Sequence, residues 1–443
     1  MTASNPTPTS RAKRVLLYSH DSYGLGHVSR CRTIANAIVE ADSSISVLIL
    51  SGSPVIGSYE FRSGIDFVRI PGVVKQIDTG DYDSANLRVG VEHTLEIRKR
   101  IIRDTADIYR PDLFIVDKEP LGLRGEVVPA LQLLKDRGTP LVFGLRDVMD
   151  DPAQLAAEWE RKNVMPTLRD LYDEIWAYGL PQVNKPLAGL DLPPSVRHKT
   201  IYTGYLRRDL PLHTDTPHEL QEIGGPFILV TPGGGGDGVE LVDWVLSAYE
   251  ADPNIPYGAV IVFGPFMSAA ARESFKERAS KFRNILTLTF TNNLGALMKQ
   301  AAGVVAMGGY NTFCEILSFD KKAIIVPRTR PRLEQFIRAR AARNLGLIEM
   351  LDADLGRDPH VMATALRQLP QQGVPSDVIV PGLLDGLPNV CRLVARSFSQ
   401  PLRGPSPVEV TAIDDAPPES PVEPPSGTSP ATDGNSGAAR LRS

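Results

Sequence analysis

Cysteine is scarce in this chain of 443 residues, with three at positions 31, 314 and 391. None falls in a CxxC or metal-ligand spacing, which argues against a disulfide scaffold or a structural zinc and suits a reducing compartment. Long apolar runs are also missing. No stretch approaches the roughly 18 residues that a membrane-spanning helix needs, and the polar N-terminus lacks the apolar core of a leader peptide. Neither sign of charge dominates: the net charge is −4 and the pI is near 6.0, so no nucleic-acid partner is implied. Together these absences lead to the expectation of a cytoplasmic protein. What remains, 42% hydrophobic and 23% charged residues, is a soluble globular composition. The length suits two domains rather than one core.

Residues 1–12 are polar with Pro and Ser and are expected to be disordered. Short apolar runs ending in turns follow, as buried parallel strands would: 14–19, 46–50, 67–70, 113–116, 141–143 and 175–177. Helices are expected at about 28–38, 89–109, 125–135 and 152–172, with a last strand in 200–207. This alternation predicts a doubly wound parallel sheet in a first domain, 13–208. A linker is expected at 209–225, followed by a second domain of the same kind at 226–375 with strands at 227–232, 259–263, 285–288, 303–307 and 323–326. A closing helical segment is expected at 376–400. The tail, 401–443, is rich in Pro, Ser, Gly and acid, and is expected to be disordered because it buries too little surface to offset chain entropy.

The richest stretch runs from Met307 through Gly308, Gly309, Tyr310, Asn311 and Thr312 to Glu315, then from Lys322 to Pro327 and on to Glu334 and Gln335. It reads as strand, glycine turn, helix start, strand, helix start. A helix N-terminus offers free N–H groups and partial positive charge to a phosphate, and Gly308 and Gly309 clear the approach. Glu315 lies within reach of a sugar hydroxyl, or else Thr312-x-x-Glu315 is a capping box. This ordered set resembles the donor site of the GT-B glycosyltransferases, in particular the family 28-like group containing the transferase that adds N-acetylglucosamine to lipid I. The resemblance implies an α/β fold of two Rossmann-like, doubly wound domains facing across a cleft. It implies that Gly309, Tyr310, Asn311 and Thr312 face a diphosphate, Glu315 the ribose, and Glu334 and Gln335 the donor sugar. The Glu-Gln pair departs from the Gln-Gln often found there.

The loop holding His20, Gly24, Gly26 and His27 follows the first strand, where open α/β sheets bind ligands. It is no Walker A loop, and Ser29 spoils a dinucleotide fingerprint. It resembles the Gly-His turn of the same transferases, which implies that His27 lies near the acceptor hydroxyl. An imidazole with an ordinary pKa of ~6.5 suits proton removal. The alternative is that His27 holds the loop; His20 is the reserve candidate. Asp117 either orients the imidazole or caps the next element. Arg146 and Asp147 either touch the acceptor or form a structural pair. The second loop, Gly233 to Gly238 with Gly234 and Gly235, satisfies G-x-G-x-x-G. No acid ends the next strand, so a dehydrogenase is disfavoured, leaving a phosphate-facing loop or a tight turn. Arg207 either reaches the diphosphate or lies on the surface. The basic stretch from Glu96 to Arg103 either rests on anionic lipid or is a solvated helix face.

These features lead to the expectation of sugar transfer from a nucleotide-diphosphate donor, a UDP-sugar, to an acceptor hydroxyl, with His27 as base and backbone dipoles holding the leaving diphosphate. No cofactor beyond the UDP-sugar co-substrate is expected. No metal is expected either, since no aspartate-x-aspartate metal motif stands out. Inversion is implied by the resemblance alone. A sugar-nucleotide 2-epimerase using Asp117 or Glu119, and a non-catalytic nucleotide-sugar-binding relative, are the alternatives. The acceptor is not legible; a lipid-linked acceptor with peripheral contact at the cytoplasmic membrane face is left open.

Overall fold

The computed structural model describes residues 11–20, 26–75, 81–210, 220, 223, 225–234, 236–291 and 293–399. The expected tail, most of the expected linker and the first ten residues lie outside these, as do Gly24 and Gly235.

The first lobe comprises β1 (Arg14–Ser19), α1 (Gly26–Ala41), β2 (Ser46–Ser51), β3 (Ile65–Arg69), β4 (Val73–Lys75), β5 (Tyr82–Ser84), α2 (Val91–Tyr109), β6 (Leu113–Asp117), α3 (Val128–Asp136), β7 (Leu141–Arg146), α4 (Pro152–Arg161), α5 (Val164–Asp170), β8 (Glu174–Tyr178), α6 (Pro194–Arg197) and β9 (Thr200–Tyr202). The second comprises β10 (Phe227–Thr231), α7 (Val239–Ala251), β11 (Gly258–Val262), α8 (Ala269–Ala279), β12 (Ile285–Leu288), α9 (Leu294–Gln300), β13 (Gly303–Ala306), α10 (Tyr310–Ser318), β14 (Ala323–Ile325), α11 (Glu334–Asn344), β15 (Glu349–Met350), α12 (Pro359–Gln368) and α13 (Gly386–Ser399).

The strands are apolar along their whole length because helices cover both faces of each sheet. All five residues of β6, for example, are buried. The first sheet has the order β3-β2-β1-β6-β7-β8-β9 and the second β12-β11-β10-β13-β14-β15, with every pairing parallel. In each sheet the order reverses at one place, between β1 and β6 and between β10 and β13. There the two strand-to-helix loops part to opposite faces and leave a crevice at the carboxyl ends of the strands. Register sets Tyr18 beside Val116 in one sheet and Thr231 beside Ala306 in the other, so His27 and Asp117, and the two glycine turns, are brought to the two crevices.

One apolar cluster runs through both lobes, joining α1 residues such as Cys31 and Ile34 to Tyr205, Phe313, Cys314 and the α13 residues Val390 and Val394. Helix α13 returns to the first lobe: Asn389 Nδ2 donates to the Thr203 carbonyl at 2.7 Å and Arg396 pairs with Glu174. The helix expected over 152–172 breaks at Asn163, which takes a left-handed φ of 50°, because Pro166 is tolerated only in the first turn of a new helix. The strand expected over 200–207 closes after three residues, and Leu206 instead bridges Asp385. The β4–β5 hairpin, α12 and β15 were not anticipated; each is short or amphipathic without strong turn signals.

Candidate active site

At the first crevice, His27 sits in the opening turn of α1 and Asp117 ends β6. His27 Nδ1 is 2.9 Å from Asp117 Oδ2. One helical turn on, Arg30 grips both carboxylate oxygens, Nε to Oδ1 at 2.7 Å and Nη2 to Oδ2 at 2.5 Å. A carboxylate only accepts, so the Asp117 contact favours the tautomer with its proton on Nδ1 and a free Nε2 lone pair, while Arg30, which only donates, favours the opposite one. Arg30 Nη2 also lies 2.8 Å from Nδ1. The imidazole is 15% exposed. Burial, aided by the Arg30 cation and opposed by Asp117, lowers its pKa to about 4. Burial would raise the Asp117 carboxyl, but Arg30 and His27 hold it well below the usual carboxylate range. The reserve candidate, His20, is buried with Nδ1 3.2 Å from the Tyr18 hydroxyl, which donates to Glu126 at 2.5 Å.

At the second crevice, Gly308 takes φ +76°, and a Cβ there would stand 2.7 Å from Ile325. Gly309 is the N-cap of α10, and nothing lies within 4 Å of where its Cβ would be. The space a side chain would fill there is therefore open. The capping-box alternative is overturned, because with Gly309 as N-cap Thr312 lies inside the first turn. Glu315 is half-buried, and among the described residues its carboxylate makes no hydrogen bond or ion pair; burial, partly offset by Arg208, raises its pKa to about 6. In the Gly233–Gly238 loop the glycines also answer packing: Phe266 would stand 3.3 Å from a Cβ at Gly234, and Gly238 lies hard against Pro232.

Several expected ligand contacts are taken up elsewhere. Tyr310 is buried, packed against Tyr205 and between Arg30 and Arg338, at 5.5 and 5.7 Å from their guanidinium carbons. Its ring is thus taken up by packing, and only its backbone N–H, at the start of α10, remains to meet a diphosphate. Asn311 donates from Nδ2 to the Gly26 carbonyl at 2.9 Å and accepts from Arg208 Nη2 at 2.7 Å, so it ties α10 to α1 instead. Asp147 is 0% exposed and accepts from Arg338 Nε at 2.8 Å, Arg338 Nη2 at 2.6 Å and Tyr205 at 2.8 Å. It joins the lobes and is closed to an acceptor. Arg207 is exposed and unpaired among the described residues. Its neighbour Arg208 is the buried one, bonded to Thr33 and Asn311 and charge-coupled to Glu315. Glu334 is 4% exposed; Oε1 accepts from Arg328 Nη2 at 2.7 Å and Oε2 is buried without a partner. Gln335 Oε1 accepts from the Arg328 N–H at 3.1 Å, which fixes this turn. Arg146 ends β7 close to Glu334 with its Nε buried and unbonded.

The carboxylates an epimerase would use are both ionised: Asp117 by Arg30, and Glu119, whose burial is overcome by Lys118, His20 and Lys162 to bring its pKa down to about 2. On α2, Arg98 is buried on Glu126 at 2.6 Å, Lys99 and Arg100 meet Glu96, and Arg103 meets Asp104. The basic stretch is thus satisfied locally. Two aspartate-x-aspartate pairs do exist, and each has a member bonded to nearby backbone: Asp83, in β5, holds the Ser84 N–H at 2.7 Å, and Asp352 caps a short turn by holding the Asp354 N–H at 3.0 Å. Among the described residues no group of three His, Cys, Asp or Glu is placed to hold a metal, and no helix is long and apolar enough to cross a membrane. Arg30, Arg208 and Lys118 were missed from the sequence. Only Arg30 left a signal there, three positions after His27 and so on the same helix face.

Residues 227–369 match the model of the glycosyltransferase family 28 C-terminal domain. An uncharacterized glycosyltransferase of Methanosarcina acetivorans is 23% identical over 332 residues, covering 69% of this chain and 77% of that protein. Among solved structures, TcCGT1 in complex with UDP has a TM-score of 0.62 at 14% identity, covering 88% of this chain and 99% of that one. MurG of Acinetobacter baumannii has a TM-score of 0.51 at 13% identity, covering 87% and 99%.

Proposed function

Starting from a glycosyltransferase of GT-B architecture, we propose that this protein moves a sugar from a UDP-linked donor to an acceptor hydroxyl with inversion, in the cytoplasm, and without a metal. The observation that carries this is the 2.9 Å bond from Asn311 Nδ2 to the Gly26 carbonyl. It sets the start of α10 against the start of α1. His27 therefore stands beside the open Gly309 turn, within the span of one nucleotide sugar.

In this reading the α10 amides and dipole, with the first turn after β10, take the diphosphate. Glu315 accepts from the ribose hydroxyls, and Glu334 and Gln335 reach the sugar. The acceptor oxygen gives its proton to His27 Nε2 and attacks the anomeric carbon as the bond to the phosphate oxygen breaks. The electron pair leaves on the diphosphate, which preorganised amides stabilise. A resting pKa of about 4 keeps His27 neutral, and so able to accept, across the physiological range. Asp117 then steadies the imidazolium that forms.

The test is a thermal-shift series with UDP-, GDP- and dTDP-sugars, followed by product analysis with and without acceptor extracts. A UDP-sugar is expected to raise the melting temperature and to be consumed only with acceptor. An epimerised sugar nucleotide appearing without acceptor would overturn the transferase reading. Saturable binding with no turnover in any extract would indicate a binding protein.

A further inference from the structure

We propose that Lys118 and Arg146 form a receptor for a negatively charged group, a carboxylate or a phosphate, carried by one of the two substrates beside the transferred sugar. This rests on the glycosyl-transfer reading above and adds a substrate class to it.

The two cations leave neighbouring strands. Asp117 is in register with Gly144, and the Lys118 N–H donates to the Gly144 carbonyl at 2.7 Å. Lys118 holds φ +68°, a left-handed conformation unfavourable for a lysine, which persists where its surroundings over-determine it. Its side chain is 17% exposed, and its nearest carboxylate, Glu119 at 3.7 Å, already holds Lys162 at 3.1 Å.

Arg146 is more unusual. Four arginines around the crevices have carboxylates in contact: Arg30 has Asp117, Arg338 has Asp147, Arg332 has Asp150 and Glu158, and Arg328 has Asp237 and Glu334, while Arg32 rests on the Tyr59 ring instead. Arg208, without one, hydrogen-bonds Thr33 and Asn311. Among the described residues Arg146 makes no hydrogen bond and no ion pair, and its Nε is shut off from solvent. Arg146 is half-buried, and holding a guanidinium partly out of water without a partner is unfavourable. Burial, with neighbouring cations, works against both charges and lowers Lys118 to about 8 and Arg146 to about 10.

Glu334 influences both groups, yet forms an ion pair with neither, and its Oε2 is unbonded. A cation without an ion pair (Arg146), a second paired only at 3.7 Å (Lys118) and one unbonded carboxylate oxygen (Glu334) are therefore electrostatic neighbours. A substrate placing an anion on the cations and a hydroxyl on Glu334 would complete all three.

The test uses the full chain and calorimetry with UDP, UDP-glucose and UDP-glucuronate, and with inorganic phosphate added to UDP-free and UDP-saturated protein. If the anion belongs to the donor sugar, UDP-glucuronate binds about tenfold tighter than UDP-glucose. Arg146→Met and Lys118→Met then each erase that preference while UDP affinity is unchanged. If it belongs to the acceptor, the two donors bind alike, and phosphate binds the UDP-saturated protein with a Kd below about 1 mM until either residue is replaced. In both cases Arg146→Met raises the melting temperature of the ligand-free protein, because an unpaired, half-buried cation has been removed. Should Arg146→Met fail to fold, Arg146→Gln and Lys118→Met carry the same comparison. The proposal is overturned if neither anion probe distinguishes the wild type from the variants, or if Arg146→Met lowers the melting temperature with anion binding intact. Phosphate binding that depends on Arg146 in a protein that ignores every nucleotide would sink the glycosyl-transfer reading and leave the anion receptor standing.

Discussion

The two lobes share a topology and differ in what they put at its crevice. In the first, the loops after β1 and β6 present side chains: an imidazole, a carboxylate and a guanidinium within 3 Å of one another. In the second, the loops after β10 and β13 present backbone, with glycine at 233, 234, 308 and 309. Strand order makes the crevice, and residue choice decides whether it moves a proton or holds a fixed charge. On the proposed function, one chain thereby divides the two demands of group transfer between two copies of one scaffold.

The sharpest way to break this division is His27→Ala. Transfer should fall by about 10²–10⁴-fold, the usual worth of a general base, while UDP affinity measured by calorimetry stays within about twofold. Loss of UDP affinity instead would mean the first lobe also holds the nucleotide. In the second lobe, Gly309→Ala should weaken donor binding by about tenfold by denying close backbone approach. It should leave the melting temperature unchanged, because no protein atom lies within 4 Å of the new methyl. The pH profile separates the lobes again. His27 must be neutral to act, and its pKa of about 4 places the acid limb of kcat/KM near pH 4. At pH 5.5 this keeps activity about tenfold above what an unshifted histidine, pKa ~6.5, would give.

A smaller effect belongs to Glu315. Its pKa of about 6 means that UDP affinity should weaken as pH falls through 6, since a protonated carboxyl accepts fewer ribose hydrogen bonds. Glu315→Gln should remove that dependence and most of the preference for UDP over 2′-deoxy-UDP, a loss of about 1 kcal/mol. The linkage has a definite sign. A carboxyl raised in the folded state contributes stability below its unfolded pKa of ~4.5 that is lost as pH rises through about 6. Glu315→Gln should therefore leave the ligand-free protein slightly more stable at pH 7 than the wild type. Smallest of all, Arg207→Ala should change stability and donor binding by less than about 0.5 kcal/mol, as surface substitutions do. Arg208→Ala should reduce both.

Strands and helix starts were legible because parallel strands covered on both faces read as unbroken apolar runs, and because glycine marks the turns. Side-chain roles depended on partners far along the chain. Asp147 meets an arginine 191 positions away and Asn311 a carbonyl 285 positions away, so no local pattern could show that both are occupied. Arg207 and Arg208 differ by one residue in a segment that leaves the sheet after β9, where no periodicity says which side faces inward. His27 was legible as a crevice residue beside a glycine turn. Its partner Asp117 was not ranked above a simple cap, since the bond between them spans 90 positions.

The sealed contact between Asp147 and Arg338 restricts how the halves can move. Drawing them straight apart would break a fully buried, doubly hydrogen-bonded ion pair, whereas in the link to Asp150 and Glu158 the Arg332 side chain is 30% exposed. If the halves move, the motion that leaves this contact whole is a tilt about it, opening the rim on the Arg332 side; on the proposed reading, the imidazole and the glycine turn would then return to one alignment.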